Sequence, residues 1–117
     1  MWPSSRRSGA PSFTDIEPQE AYRRVKTGAL LVDVRQPAEL SGARFPKAVN
    51  VPMGELETYA AGLDRSAPVI LACRSGSRSR KGAKRLAALG FTEVSNVRGG
   101  ATAWGRAGLP LKGARKR

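Results

Sequence analysis

The sequence predicts a single α/β domain in which a mainly parallel sheet lies between helices. Several short segments are continuous apolar runs, which are typical of strands buried on both faces. These segments alternate along the chain with segments of helical character, the order that builds a parallel sheet covered by helices. The length of 117 residues suits one domain with its own core.

Four segments are candidate strands of this sheet. Each is short, contains valine, leucine or isoleucine, and is bounded by glycine, proline or polar turn residues. The four segments are residues 29–34, 49–51, 68–72 and 93–97.

Four other segments are predicted to be helical. Pro18 in the first turn and Gly28 just past the end frame the first of them, and Gly90 ends the third. In the fourth, we expect Trp104 to pack in the core. The apolar stripe of the third segment is formed by Ala83, Leu86, Ala87 and Leu89. The four segments are residues 17–26, 54–61, 77–89 and 100–105.

The formal net charge of +12 is unevenly distributed along the chain. We predict a disordered leader over residues 1–11, a folded domain over 12–111 and a basic disordered tail over 112–117. The charges at the two ends act either as solvated groups that aid solubility or as contacts for acidic partners. A second basic cluster, between residues 74 and 85, contains no acidic residue.

The sequence contains one cysteine, Cys73, and no histidine. A single cysteine excludes an internal disulfide and a cysteine-rich metal site, so we expect no metal and no cofactor. The absence of histidine excludes Ser–His and Cys–His catalytic pairs. A nucleophile in this chain must therefore be activated by other means.

No segment approaches the roughly 20 apolar residues that span a bilayer. The first residues lack the apolar segment of a secretory signal. We therefore expect a cytoplasmic location and no membrane partner.

Cys73 directly follows the candidate strand 68–72 and begins a loop that leads into a helix. Sites in open α/β sheets form at this end of the strands. Free amides in the loop, the positive end of the following helix and the arginine side chains would all favour a thiolate and hold an anionic substrate. The loop residues are Cys73, Arg74, Ser75, Gly76, Ser77, Arg78 and Ser79.

The thiolate matters because a free cysteine, with a pKa of about 8.5, is only slightly ionised at neutral pH. A decrease of roughly two units would make the thiolate the major form. The alternative is a buried structural cysteine beside a solvated basic helix.

In four places, the sequence resembles the rhodanese family, over roughly residues 12–110. The loop from Cys73 resembles the active-site loop of that family. Residues 31–35, Leu-Val-Asp-Val-Arg, followed by Glu39, resemble its Asp-Val-Arg motif and later glutamate. Residues 43–52 resemble its Gly-His-Ile-Pro-Gly-Ala segment, and residues 97–100 with Trp104 resemble its closing signature. The resemblance implies a central, mainly parallel five-stranded sheet with helices on both faces.

Three residues depart from the family pattern. Ala43 and Lys47 stand where glycine is usual, and Arg44 stands where histidine is usual. Lys47 destabilises the turn if the backbone there needs a positive φ.

The resemblance implies a sulfurtransferase that moves sulfane sulfur through a persulfide on Cys73. Thiosulfate or a persulfide is the implied donor, and an external thiol, a cyanide ion or a cysteine of a partner protein is the acceptor. Arg74 is the first candidate for contacting the sulfonate, and Arg78 either does the same or braces the loop. Ser79 either caps the following helix or contacts substrate. Asp33, Arg35 and Glu39 form a supporting scaffold.

Three other functions remain open on the sequence. A phosphatase or arsenate reductase on this fold places five residues between cysteine and arginine, whereas four lie between Cys73 and Arg78. A protein-interaction module without catalysis usually lacks the cysteine. Nucleic-acid binding through the basic cluster at residues 78–85 is disfavoured by the few aromatic residues, so we do not expect it as the primary function.

Overall fold

The chain folds around a five-stranded sheet in which all neighbouring strands are parallel. The computed structural model describes residues 12–113. The strands lie across the sheet in the order β1–β5–β4–β2–β3, so β4 is central. They are β1 (Thr14–Ile16), β2 (Leu30–Asp33), β3 (Val49–Asn50), β4 (Val69–Ala72) and β5 (Val94–Val97). The predicted fold class and the parallel sheet are confirmed.

Four α-helices cover the two faces of the sheet. On one face α1 contacts α4, and on the other α2 contacts α3. The helices are α1 (Pro18–Lys26), α2 (Leu56–Ala60), α3 (Ser77–Ala88) and α4 (Gly100–Arg106). Two 3₁₀ turns, Pro37–Leu40 and Met53–Glu55, complete the regular structure of the described residues.

Alternate side chains of the strands enter two separate cores. Leu31 and Ile70 point to the face of α1 and α4, where Trp104 is fully buried as predicted. Val32 and Leu71 point to the face of α2 and α3. Burial on both faces explains why these strands read as continuous apolar runs.

The stripe predicted for α3 is correct at three of its four residues. Leu89 is 41% exposed, because it follows the last helical residue and leaves the helical path before Gly90. Ser79 and Gly82 are buried on this face instead. A polar residue and a glycine carry no apolar signal, so the sequence pattern did not include them.

Strand β1 and the 3₁₀ turn at Pro37–Leu40 were absent from the sequence predictions. β1 is three residues long and exists through its pairing with β5. The predicted leader lies outside the described residues, as does most of the predicted tail. Lys112, which we placed at the start of that tail, exchanges two backbone hydrogen bonds with Arg44.

Lys47 has a φ of +62° and is the one non-glycine residue of 12–113 in the left-handed region. This conformation destabilises a residue with a Cβ by about 1–2 kcal/mol, and Lys47→Gly removes part of this destabilisation.

We expect Lys47→Gly to raise the free energy of unfolding by about 0.5–1 kcal/mol, measured by urea denaturation. The matched control is Lys81→Gly on exposed α3, which removes the same charge and should lower stability by about 0.5–1 kcal/mol. Equal losses in the two variants would contradict this account.

Candidate active site

The loop after β4 lies at the carboxyl edge of the sheet, where parallel strands place their sites. β4 ends at Ala72, Cys73 follows, and α3 begins at Ser77. Gly76 precedes the helix with a φ of +98°, which turns the chain back over the cysteine.

The amino-terminal end of α4 forms hydrogen bonds with the backbone of this loop. The amide of Ala101 donates to the Cys73 carbonyl at 2.9 Å, and the amide of Thr102 donates to the Arg74 carbonyl at 3.1 Å. Both carbonyls therefore accept hydrogen bonds from α4. The free amides of the helix end and the carbonyls of the loop satisfy one another.

The Cys73 sulfur lies among hydrogen-bond donors of the loop and α3. The amide of Gly76 lies 3.1 Å from Sγ, and the amide of Ser79 lies 3.4 Å from it. The Ser79 hydroxyl oxygen is 3.3 Å from the same atom. Cys73 has no exposed surface, so its sulfur interacts with these protein groups and not with solvent.

These contacts change the ionisation of the thiol. Burial raises the pKa of Cys73, but the hydrogen bonds from Ser79, Gly76 and Ser75 together outweigh it. The pKa of the thiol is consequently held below its usual value. A lowered pKa increases the fraction of thiolate, the nucleophilic form of cysteine, at neutral pH.

A comparison of the sequence with families of known proteins identifies the family. The model of the rhodanese-like domain matches residues 17–107. The chain belongs to the rhodanese family. The matched span contains four of the five strands, all four α-helices and the Cys73 loop.

Relatives of this rhodanese domain include named sulfurtransferases. The chain is 39% identical over 108 residues to the thiosulfate sulfurtransferase GlpE of Actinobacillus succinogenes, covering 88% of this chain and 94% of that protein. It is 39% identical over 82 residues to a sulfurtransferase of Allochromatium vinosum, covering 70% and 77% of the two chains.

Solved structures of similar proteins have the same fold. A rhodanese-related protein from Thermoplasma volcanium superposes with a TM-score of 0.78 at 28% identity, covering 86% of this chain and 99% of that one. The polysulfide-sulfur transferase homodimer of Wolinella succinogenes gives a TM-score of 0.77 at 29% identity, covering 90% and 81%.

The two loop arginines of this rhodanese domain have different environments. Both guanidinium Nη atoms of Arg78 donate to the carboxylate of Glu39, each at 2.8 Å. This pair lowers the pKa of Glu39 to about 2 and raises that of Arg78. Arg74 is exposed. Of the two roles considered for Arg78, the geometry therefore supports bracing of the loop.

Asp33 and Arg35 form a buried ion pair at the same edge of the sheet. Arg35 Nη2 donates to Asp33 Oδ2 at 2.7 Å and to the carbonyl of Ala43 at 3.0 Å. The Asn50 amide donates to the carbonyls of both residues of the pair. These contacts join β2, β3 and the segment around Ala43 beside β4.

Ser79 is not the cap of α3. It is the third residue of the helix, and the capping position is occupied by Gly76. Ser75 and Ser77 are exposed on the rim of the loop. The predicted loop residues thus divide into Gly76 and Ser79 at the sulfur, and Arg74, Ser75 and Ser77 at the surface.

Two residues that are linked to the sulfur through Ser79 had not been predicted from the sequence. Asn96 on β5 is 1% exposed and accepts a hydrogen bond from the Ser79 hydroxyl at 2.5 Å. Its own amide donates to Asp15 Oδ1 on β1 at 2.9 Å. The only sequence signal for Asn96 was a polar side chain inside an otherwise buried strand.

The described residues contain neither a group of metal ligands nor a membrane-spanning helix. Among residues 12–113, no three histidine, cysteine, aspartate or glutamate side chains lie together as metal ligands would. No helix of this part is long and apolar enough to cross a membrane.

Proposed function

We propose that this rhodanese domain is a thiosulfate sulfurtransferase with Cys73 as its nucleophile. The observation that carries the proposal is the lone cysteine sulfur held by the amides of Gly76 and Ser79, in a loop without histidine. The similarity to a protein named thiosulfate sulfurtransferase over 88% of the chain supports the choice of donor. We also propose a cytoplasmic location, where thiols are kept reduced.

In the first step the Cys73 thiolate attacks the outer sulfur of thiosulfate. The bond between the two sulfur atoms of thiosulfate breaks, its electron pair leaves with sulfite, and a persulfide remains on Cys73. The loop amides that lower the thiol pKa also stabilise the negative charge of this persulfide. Because Cys73 is fully buried, the donor must displace part of the surroundings of the sulfur to reach it.

In the second step an external nucleophile attacks the terminal sulfur of the persulfide. The sulfur–sulfur bond breaks and the electron pair returns to Cys73 as the thiolate. Since the chain has no second cysteine, the acceptor is a small thiol, cyanide or a cysteine of a partner protein. No cofactor takes part in either step.

The proposal is tested by incubating the purified protein with thiosulfate. Mass spectrometry should detect one added sulfur atom on the peptide that contains Cys73, and cyanide should remove it as thiocyanate. Failure of any sulfur to attach, with hydrolysis of an aryl phosphate instead, would assign the loop to phosphoryl chemistry.

Arg74 is proposed to attract the sulfonate group of thiosulfate. We expect Arg74→Ala to raise the KM for thiosulfate about 3- to 10-fold, the effect of one partly screened charge, with little change in the free energy of unfolding. Lys84→Ala on α3 is the matched control, because it removes the same charge from an exposed residue outside the loop. The steady-state KM of the three proteins is the measurement. An equal KM in all three would leave the backbone amides as the sole anion site.

A further inference from the structure

A chain of hydrogen bonds runs from the buried sulfur to the edge of the sheet. It passes from Cys73 through Ser79 and Asn96 to Asp15, whose carboxylate also pairs with Arg80. Asp15 and Asn96 are direct neighbours in the pairing of β1 with β5. Ser79 and Asn96 are almost completely buried, so water does not compete for their bonds.

The direction of each hydrogen bond in this series is determined by its donor and acceptor. A carboxylate only accepts hydrogen bonds, so the Asn96 amide nitrogen faces Asp15. The Asn96 oxygen then faces Ser79, whose hydroxyl donates to it at 2.5 Å. The hydroxyl has a single proton, and its other two acceptors, Cys73 Sγ and the Gly76 carbonyl, are both 3.3 Å away.

We propose that Asp15 is a positioning residue that, through Asn96, turns the Ser79 proton away from Cys73. In this orientation the short bond of the hydroxyl, at 2.5 Å, goes to Asn96, and the sulfur keeps only the longer contact at 3.3 Å. The Ser79 hydroxyl therefore stabilises the thiolate less than a fully directed hydrogen bond would. The amides of Gly76 and Ser79 add to that stabilisation.

The consequence for sulfur transfer rests on the function proposed above. Thiol nucleophilicity falls as the pKa falls, and the most effective attacking thiol has a pKa near the ambient pH. A loop that lowered the pKa without limit would yield a thiolate that is abundant but less reactive. The orientation of Ser79 limits that decrease.

The test removes the acceptor at Asp15. In Asp15→Leu the Asn96 amide is free to rotate and donate to Ser79, which releases the hydroxyl proton to the sulfur. We expect the pKa of Cys73 to fall by about one unit, the size of one hydrogen bond to a charged group. The ultraviolet absorbance of the thiolate, taken as a difference from Cys73→Ser, measures this pKa without any assay of activity.

A double-mutant cycle separates this effect from simple charge removal. In a Ser79→Ala background, Asp15→Leu should leave the pKa of Cys73 unchanged, because the hydroxyl that transmits the effect is absent. Equal shifts in both backgrounds, or no shift in either, would overturn the proposal. Asn96→Leu, which removes the acceptor of the Ser79 proton, should also lower the pKa and serves if Asp15→Leu folds poorly.

The charged groups around the Cys73–Ser79–Asn96–Asp15 hydrogen bonds provide the last control. Arg80 and Arg98 act on Asp15, and Arg78, which pairs with Glu39, interacts electrostatically with Cys73. Arg80→Gln leaves the hydrogen bond between Asp15 and Asn96 intact but removes the positive charge that pairs with Asp15. We expect the pKa of Cys73 to stay unchanged in this variant, whereas a purely coulombic effect of Asp15 would raise it. If the wild-type protein transfers no sulfur, the proposed function is refuted. The pKa measurements still test the role of Asp15, because they do not depend on activity.

Discussion

Replacement of Cys73 by serine should abolish sulfur transfer while the fold is retained. Serine has the shape of cysteine, and its hydroxyl oxygen accepts hydrogen bonds from the same amides of Gly76 and Ser79. It forms no persulfide and is not ionised at neutral pH, so both steps of the reaction lose their sulfur carrier. We expect thiocyanate production from thiosulfate and cyanide to fall on the order of 10⁴-fold or more, the scale seen when a nucleophile is removed.

A second substitution at the same residue tests the polar environment of the sulfur. Cys73→Ala removes the acceptor and leaves two amides directed at an apolar methyl group. Because a buried unsatisfied donor destabilises by about 1–3 kcal/mol, Cys73→Ala should unfold at lower urea concentration than Cys73→Ser. Transfer activity retained in either variant would contradict the role of Cys73, and equal stability of the two variants would mean that the amides do not depend on the sulfur.

The parts of the fold that the sequence predicted are those that local pattern determines. β2, β4 and β5 are apolar runs, and α1 is framed by Pro18 and Gly28, so their type and approximate bounds were confirmed. β1 was missed because three residues with one buried apolar side chain contain no usable period. Its existence depends on β5, which lies 81 residues away in the sequence at the Asp15–Asn96 pair. Local sequence patterns therefore cannot predict it.

In the candidate site, too, the residues near Cys73 in sequence could be predicted and the distant ones could not. The amides that approach Cys73 belong to residues within six positions of it, so the loop sequence and the start of α3 were sufficient to predict them. The partner of Arg78, Glu39, lies 39 residues away, and only the resemblance to a family pointed to it. Asn96 had no such signal. A buried polar residue in a strand becomes a functional candidate only once its partners are known.

The conformation of the Cys73 loop depends on a glycine outside the loop. Gly100 begins α4 with a φ of +58°. A Cβ added there would lie 2.6 Å from the carbonyl carbon and oxygen of Arg74, and closer still to the carbonyl oxygen of Cys73. Backbone atoms cannot rotate away as a flexible side chain does, so α4 and the loop must separate to accommodate a methyl group.

Gly100→Ala should therefore reduce both stability and activity. The positive φ and the clash together predict a loss of about 2–5 kcal/mol in the free energy of unfolding, measured by urea denaturation. In the fraction that folds, a displacement of the loop by about 1 Å should lower kcat/KM about 10²-fold, because the amides no longer meet the sulfur.

Gly108→Ala separates the two causes, since Gly108 has a φ of +77° but no atom within 4 Å of an added Cβ. It should lose about 1 kcal/mol from backbone strain and keep its kcat/KM. Equal stability losses in Gly100→Ala and Gly108→Ala would show that strain alone acts at Gly100. The contact between α4 and the loop would then have no part in holding the sulfur among its donors.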